Sequence, residues 1–155
     1  VHLEATISGG VEIGEGCYGG PGAVLRGDWG DIVVGAGSNI EENCVLHVRP
    51  DEVTLLGPDC NVAHGAIIRG AQLGRHVMVG MHATLHDSVV AGDDALIGSV
   101  CVVLAGMQIP DGKMVVGVPG TIVGEVSAGQ KAAWEWGQRQ YQALPPRCLK
   151  GLCSV

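Results

Sequence analysis

Aliphatic side chains recur every sixth residue along most of this chain. The series runs Ile7, Ile13, Leu25, with Gly19 in the one weak slot, then Val34, Ile40, Leu46, and resumes at Leu56, Val62, Ile68. It slips by one at Leu73 and continues through Val79, Leu85, Ala91, Ile97, Val103, Ile109 and Val115. Glycine often follows the aliphatic residue, as at Gly14, Gly35, Gly74 and Gly98, and a small residue stands four positions after it, as at Cys17, Ala23, Ser38, Cys44 and Ala66. A period of six is neither the 3.6 of a helix nor the 2 of a simple strand. It describes a short strand and a tight turn, three of which close a triangular coil of about 18 residues. Eighteen hexads taken in threes make six coils, and at a strand spacing of roughly 4.8 Å the stack stands about 29 Å tall. The segments that break the period, Gly27 to Val33 and Val48 to Leu55, are predicted loops.

After Gly124 the repeat stops. Ser127 has the chemistry of an N-cap, and AGQKAAWEWGQRQYQAL then reads as a helix of about 16 residues that Pro145 and Pro146 terminate. Trp134 and Tyr141 lie seven apart on one helical face, with Lys131 and Gln138 beside them, so the rings are expected to cover the side of the prism or a neighbouring subunit. The organisation predicted is an all-β, parallel β-helix over residues 1–124 and a C-terminal α-helix and tail over 125–155.

Composition accounts for this architecture. The chain has 155 residues with 26 Gly and no Phe, more than twice the usual glycine share of about 7%. A triangular lumen takes one branched aliphatic and one small side chain per face, and a ring overpacks it. The six cysteines (17, 44, 60, 101, 148, 153) form no C-x-x-C, which argues against a zinc ribbon or a thioredoxin motif. Four of them fall in the small inward slot and read as inert buried thiols. A formal net charge of −7 argues against nucleic acid or an anionic membrane as partner. The start, VHLEATISGG, has neither a basic nor an apolar leader region, and no run of 18 apolar residues occurs. A cytoplasmic location is the expectation.

Stacking in register turns equivalent positions into columns. The position after the aliphatic residue on one face gives Arg26, His47, Arg69 and His86; the second position on the adjacent face gives Glu42, His64, Met81 and Ser99, with Glu41 one step earlier. The plain reading of this edge is a solvated or inter-subunit surface with Arg26 paired to Asp28 and Arg69 to Glu41 or Glu42. The functional reading is a site, since two imidazoles near a third donor can bind a transition metal. His82 falls one residue out of the His64 register, and His2 and His76 have no column partners and read as surface residues.

These residues resemble the γ-class carbonic anhydrase family of trimeric, left-handed β-helices. Arg26-Gly27-Asp28 is similar to its R-G-D, Ser38-Asn39-Ile40-Glu41-Glu42-Asn43 to its S-N-V-Q-D-N, and Cys44-Val45-Leu46-His47 and Val62-Ala63-His64-Gly65 to its first two histidine segments. The tail from Trp134 through Tyr141-Gln142-x-Leu144 to Arg147-Cys148 and Gly151-Leu152 is similar to that of the carnitine-operon and phenylacetate-degradation branch. The resemblance implies a left-handed fold, a homotrimer, and Zn or Fe held at the trimer interface by two histidines of one subunit and one of its neighbour. Here His47 and His64 stand at two of those positions. It also implies an Arg26–Asp28 ion pair between subunits and an Asn39 that orients water or an oxyanion.

The chain departs from the family where H-x-x-x-x-H becomes His64-Gly-Ala-Ile-Ile-Arg69, and Glu41 stands for glutamine. A guanidinium stays protonated and offers no lone pair. Three readings follow. One is a carbonic-anhydrase-like lyase or hydrolase whose metal lowers the pKa of bound water, with Arg26, Asp28, Asn39, Glu41 and Arg69 around it. The second is a metal-free coenzyme A thioesterase or acyl-transfer enzyme in which His47 or His64 is the general base and Arg69 binds a small anionic or acyl substrate. The third is a non-catalytic trimeric scaffold.

Overall fold

The computed structural model describes residues 1–151; Leu152 and Cys153, which belong to the tail resemblance and the cysteine count, lie outside the described residues. The chain winds as a left-handed parallel β-helix of about six turns followed by two helices. The first face is built from strands such as Asn39–Ile40, Asn61–Val62 and Met78–Val79, paired parallel in register (Asn39 with Asn61, Asn61 with Met78). The second carries Val45–His47, Ile67–Arg69 and Thr84–Leu85, and the third Val53–Leu56, Gln72–Leu73 and Val90–Ala91. Three short strands and three turns complete each coil, as the hexad period requires.

The periodic aliphatic residues point inward and close the lumen: Leu46, Val62, Ile68, Leu85 and Ile97 are almost wholly buried, with Cys44, Ala66, Ala83 and Cys101 in the small slots between them. Each buried Val, Leu or Ile contributes about 1.5–3 kcal/mol relative to exposure, so the stack is held mainly by these columns. Burial pushes the Cys44 thiol up to about 11 and the Cys60 thiol up to about 12, which leaves both unreactive at neutral pH.

One predicted loop is instead strand, and the end of a second is strand as well. Gly27–Val33 lies inside one strand, Val24–Val34, whose first part pairs with Val45–His47 and whose last part pairs with Val53–Leu56. The extra residues bulge round the corner of the prism, where the register to the preceding strand Thr6–Ile13 also shifts, at Gly9/Gly10. The second predicted loop is a loop only to Glu52, because Val53–Leu56 is strand. The six-residue template stops at both corners, although the hydrogen-bond ladder continues.

At the C-terminal end, Lys113–Val116 turns back on itself through the antiparallel strand Thr121–Glu125. Ser127 then caps α1 (Ala128–Gln142) in a reciprocal capping box with Gln130. Pro145 and Pro146 do not end the helical region: they sit in the first turn of α2 (Leu144–Gly151), where a missing N–H costs little. The predicted face of α1 lies on the prism. Trp134 and Gln138 are buried, and Lys131 reaches Asp94 at 3.0 Å. His76 is buried beneath them and is not a surface residue. Its Nδ1 lies 2.7 Å from Asp94 Oδ1, and its Nε2 accepts a hydrogen bond from Trp134 Nε1 at 2.6 Å.

Candidate functional site

Register places the second-face column as the sequence predicts. Arg26 pairs with His47 and His47 with Arg69 across successive coils, and His86 follows Leu85, the partner of Ile68. Leu25, Leu46, Ile68 and Leu85 fill the lumen, so strand alternation turns the neighbouring Arg and His side chains outward.

Arg26 Nη1 donates to Asp28 Oδ2 at 2.8 Å. Although desolvation raises the Asp28 pKa, the hydrogen bond and charge of Arg26 outweigh it and hold the carboxyl below its usual range. Asp28 Oδ1 stands 3.5 Å from His47 Nε2. That nitrogen is buried with no hydrogen-bond partner among the described residues.

The sequence pairs Arg69 with Glu41 or Glu42, but within the chain it reaches neither. It is clamped by Asp87, one coil on. Nε donates to Oδ1 at 2.8 Å and Nη2 to Oδ2 at very short range. The hydrogen bond from Arg69 is the largest influence on Asp87 and holds it well below the usual carboxylate range, against a desolvation that raises it. Arg49 Nη1 lies 3.8 Å from Asp87 Oδ2, and Arg49 Nε lies 3.9 Å from Glu52 Oε1. Between these groups runs a groove of about 230 Å³ lined by Trp29, His47, Val48, Arg49, Pro50 and Arg69. A second hollow, lined by Ile67, Arg69, Thr84, Leu85 and His86, adjoins it through Arg69. The buried Thr54 hydroxyl braces the groove from behind, donating to the His47 carbonyl at 2.7 Å and accepting from the Gly70 N–H at 2.9 Å.

The other histidine belongs to an acidic edge. His64 Nε2 is 3.0 Å from Glu41 Oε2 and its Nδ1 is 2.7 Å from Glu42 Oε2. The His64 main-chain N–H also donates to Glu41, at 3.2 Å. Glu41 is buried, and desolvation raises its pKa despite the opposing His64. Tyr18 Oη donates to Glu42 at 2.8 Å and stacks at 5.3 Å on Tyr141 of α1, whose hydroxyl lies 3.5 Å from His64 Nε2. Gly65 turns the chain away at φ +69, and a Cβ there would run into the His82 ring. Asn39 is wholly buried. Its amide nitrogen donates to Glu41 Oε1 at 3.0 Å and to Asn61, so within the chain it fixes Glu41.

This donor set does not fit a three-imidazole metal centre. The third position is a guanidinium already engaged by a carboxylate, and both ring nitrogens of His64 face carboxylates. In the column, the buried His47 Nε2 is left without a hydrogen-bond partner among the described residues. Four participants were missed by the sequence reading: Asp87, Tyr18, Arg49 and Trp29. Asp87 carried a usable signal, since it lies one coil length, 18 residues, after Arg69. Tyr18 meets Tyr141 only because α1 folds back on the first face.

No protein-family model matches the chain. It is 36% identical over 156 residues to the carnitine operon protein CaiE of Proteus sp. (strain LE138), covering all of this chain and 79% of that protein. Among solved structures, a hexapeptide transferase family protein from Anaplasma phagocytophilum superposes with a TM-score of 0.82 at 27% identity, over 92% of this chain and 88% of that one. A variant of AntD, an N-acyltransferase from Bacillus cereus, in complex with dTDP and coenzyme A, superposes with a TM-score of 0.74 at 17% identity, over 89% of this chain and 86% of that one. The AntD likeness is one of fold. No helix among the described residues is long and apolar enough to cross a membrane.

Proposed function

The chain belongs to the family of the carnitine operon protein CaiE, and from that premise we propose a metal-independent enzyme of acyl-thioester hydrolysis or acyl transfer. The observation that carries the reading is the Asp87-clamped Arg69 in line with His47, a fixed cation beside an imidazole. Arg69 uses Nε and one terminal nitrogen on Asp87, which leaves its other N–H groups for an anionic or carbonyl oxygen.

His47 is the general base. With Nε2 turned toward Asp28, Nδ1 takes the proton from water, or from the hydroxyl or amine of an acceptor, as the oxygen or nitrogen attacks the thioester carbonyl. The carbon–sulfur bond then breaks, and the thiolate recovers the proton from the imidazolium. The 3.5 Å Asp28 contact tightens as the ring becomes charged, which is how a loose ground-state geometry becomes selective for the transition state. Asp28, kept ionised by Arg26, holds the ring and stabilises its positive form.

The active species in this reading is a homotrimer. The second face presents Arg26, while the His64 edge presents Glu41 and Glu42, so the basic end of the column on one chain complements the acidic edge of the next in a head-to-tail ring. The test is release of free thiol from a panel of acyl thioesters by wild type and His47→Ala, before and after exhaustive chelation. Turnover that survives chelation and is lost in His47→Ala is expected. Turnover abolished by chelation and restored by zinc or iron overturns the reading.

A further inference from the structure

Arg49 is the cation of the groove with the fewest commitments. Its nearest carboxylate contacts, 3.8 Å to Asp87 and 3.9 Å to Glu52, both lie beyond hydrogen-bond reach, and its side chain is about half exposed. Arg69, on the opposite wall, is fixed by Asp87 and presents the rest of its guanidinium. Two guanidiniums that converge on one carboxylate oxygen also converge on the space beside it, a geometry suited to an oxyanion with several acceptors.

The third wall is Trp29, 61% exposed although it is one of the largest apolar side chains in the chain. It rides on the corner bulge between Gly27 and Asp31, and its position is built. The Trp29 carbonyl accepts from the Asp51 N–H at 3.2 Å. Gly30 lets the two loops close, since a Cβ there would meet the main-chain oxygens of Glu52 and Arg49. An exposed indole held beside two guanidiniums offers a π face and an anion site within one groove.

We propose that the groove walled by Trp29, Arg49 and Arg69 binds a nucleotide, with a phosphate on the two guanidiniums and the base stacked on Trp29. This deepens the function proposed above and rests on its reading of Arg69 as an anion-binding cation. Plain anions satisfy the arginines alone, and plain aromatics satisfy the indole alone; a nucleotide satisfies both.

The experiment is calorimetric titration of the intact protein with ADP, adenosine and inorganic phosphate. ADP is expected to bind at least about tenfold more tightly than either fragment, over phosphate through the stacked base and over adenosine through the charge-assisted contacts of the phosphate. Arg49→Gln and Trp29→Ala should each weaken ADP by about tenfold or more. Both side chains are exposed, so these variants keep the fold, which a matching thermal melt confirms. Absence of ADP binding, phosphate binding as tight as ADP, or ADP binding unchanged in both variants overturns the proposal. ADP binding without thioester turnover supports the groove and sinks the reaction; turnover without ADP binding does the reverse.

Discussion

The face of the prism covered by α1 and the face that carries the groove both set a histidine against an aspartate, with opposite results. Under α1, His76 has both nitrogens committed: Nδ1–H donates to Asp94, and Nε2 accepts from Trp134, which fixes one neutral tautomer. In the groove, His47 has one aspartate at 3.5 Å and a buried nitrogen without a hydrogen bond. A neighbouring acid alone therefore does not satisfy an imidazole; under α1 the second partner, Trp134, completes the set, and His47 Nε2 has no such donor or acceptor among the described residues.

The sharpest way to break this comparison is to truncate each histidine environment and read rate and stability separately. His47→Ala should lower thioester turnover by about 10²–10⁴-fold while leaving the urea midpoint near that of wild type; a variant that keeps its rate removes His47 from the chemistry. Trp134→Ala should do the converse, costing about 3–5 kcal/mol in urea unfolding because it opens a void and leaves His76 Nε2 without a donor. A loss below about 1 kcal/mol would mean that α1 is not fastened through this contact.

Smaller effects test the framework of each face. Asp87 is held below the ordinary carboxylate range by Arg69, so its contribution is fully present above the unfolded value of about 3.9 and disappears as pH falls through the lowered native value. Asp87→Asn should cost about 1 kcal/mol at pH 7 and flatten the acid side of the stability profile, measured by urea unfolding at pH 7 and pH 3. An unchanged acid slope would show that the clamp stores no pH-dependent stability. Ser127→Ala, which removes one half of the capping box, should cost about 0.5–1 kcal/mol, with circular dichroism showing fraying confined to the helix.

The hexad series makes the coils and the lumen legible, because a lumen this narrow accepts so few side chains that the pattern is nearly forced, and the Ser127 cap with the pattern that follows it does the same for the helix. The corner bulge was not legible. Between Leu25 and Val34 the register is kept by main-chain hydrogen bonds, which carry no side-chain signature, so a continuing strand read as a loop. The prolines after Leu144 mark the end of α1 correctly but conceal α2, since one residue type ends a helix at one position and opens it at another.

Of the site, the column Arg26, His47, Arg69 and the Arg26–Asp28 pair are legible from spacing, whereas the sequence pairs Arg69 with Glu41 or Glu42 and its partner is Asp87. Arg69 with Asp87, His76 with Asp94 and Arg75 with Asp93 are all separated by 18 residues. That separation is one coil, so these pairs form a ladder analogous to the i, i+4 pairs of a helix. The extra residues at the two corners, Gly27 to Val33 and Val48 to Leu55, hide it upstream, where the same columns are spaced by 21 or 22 residues, as between Arg26, His47 and Arg69.

The hairpin formed by Lys113–Val116 and Thr121–Glu125 bears on how the molecule avoids its own kind. A stack of parallel rungs presents, at its last coil, a row of unpaired main-chain groups that another stack of the same rungs could extend without limit. The antiparallel return occupies that row on the first face with a strand of the wrong polarity and no hexad register, so on that face a second solenoid finds no parallel rung to continue. The strand thus acts as a chain terminator against end-to-end fibre growth, and it leaves the lateral faces of the prism as the surfaces on which copies can meet.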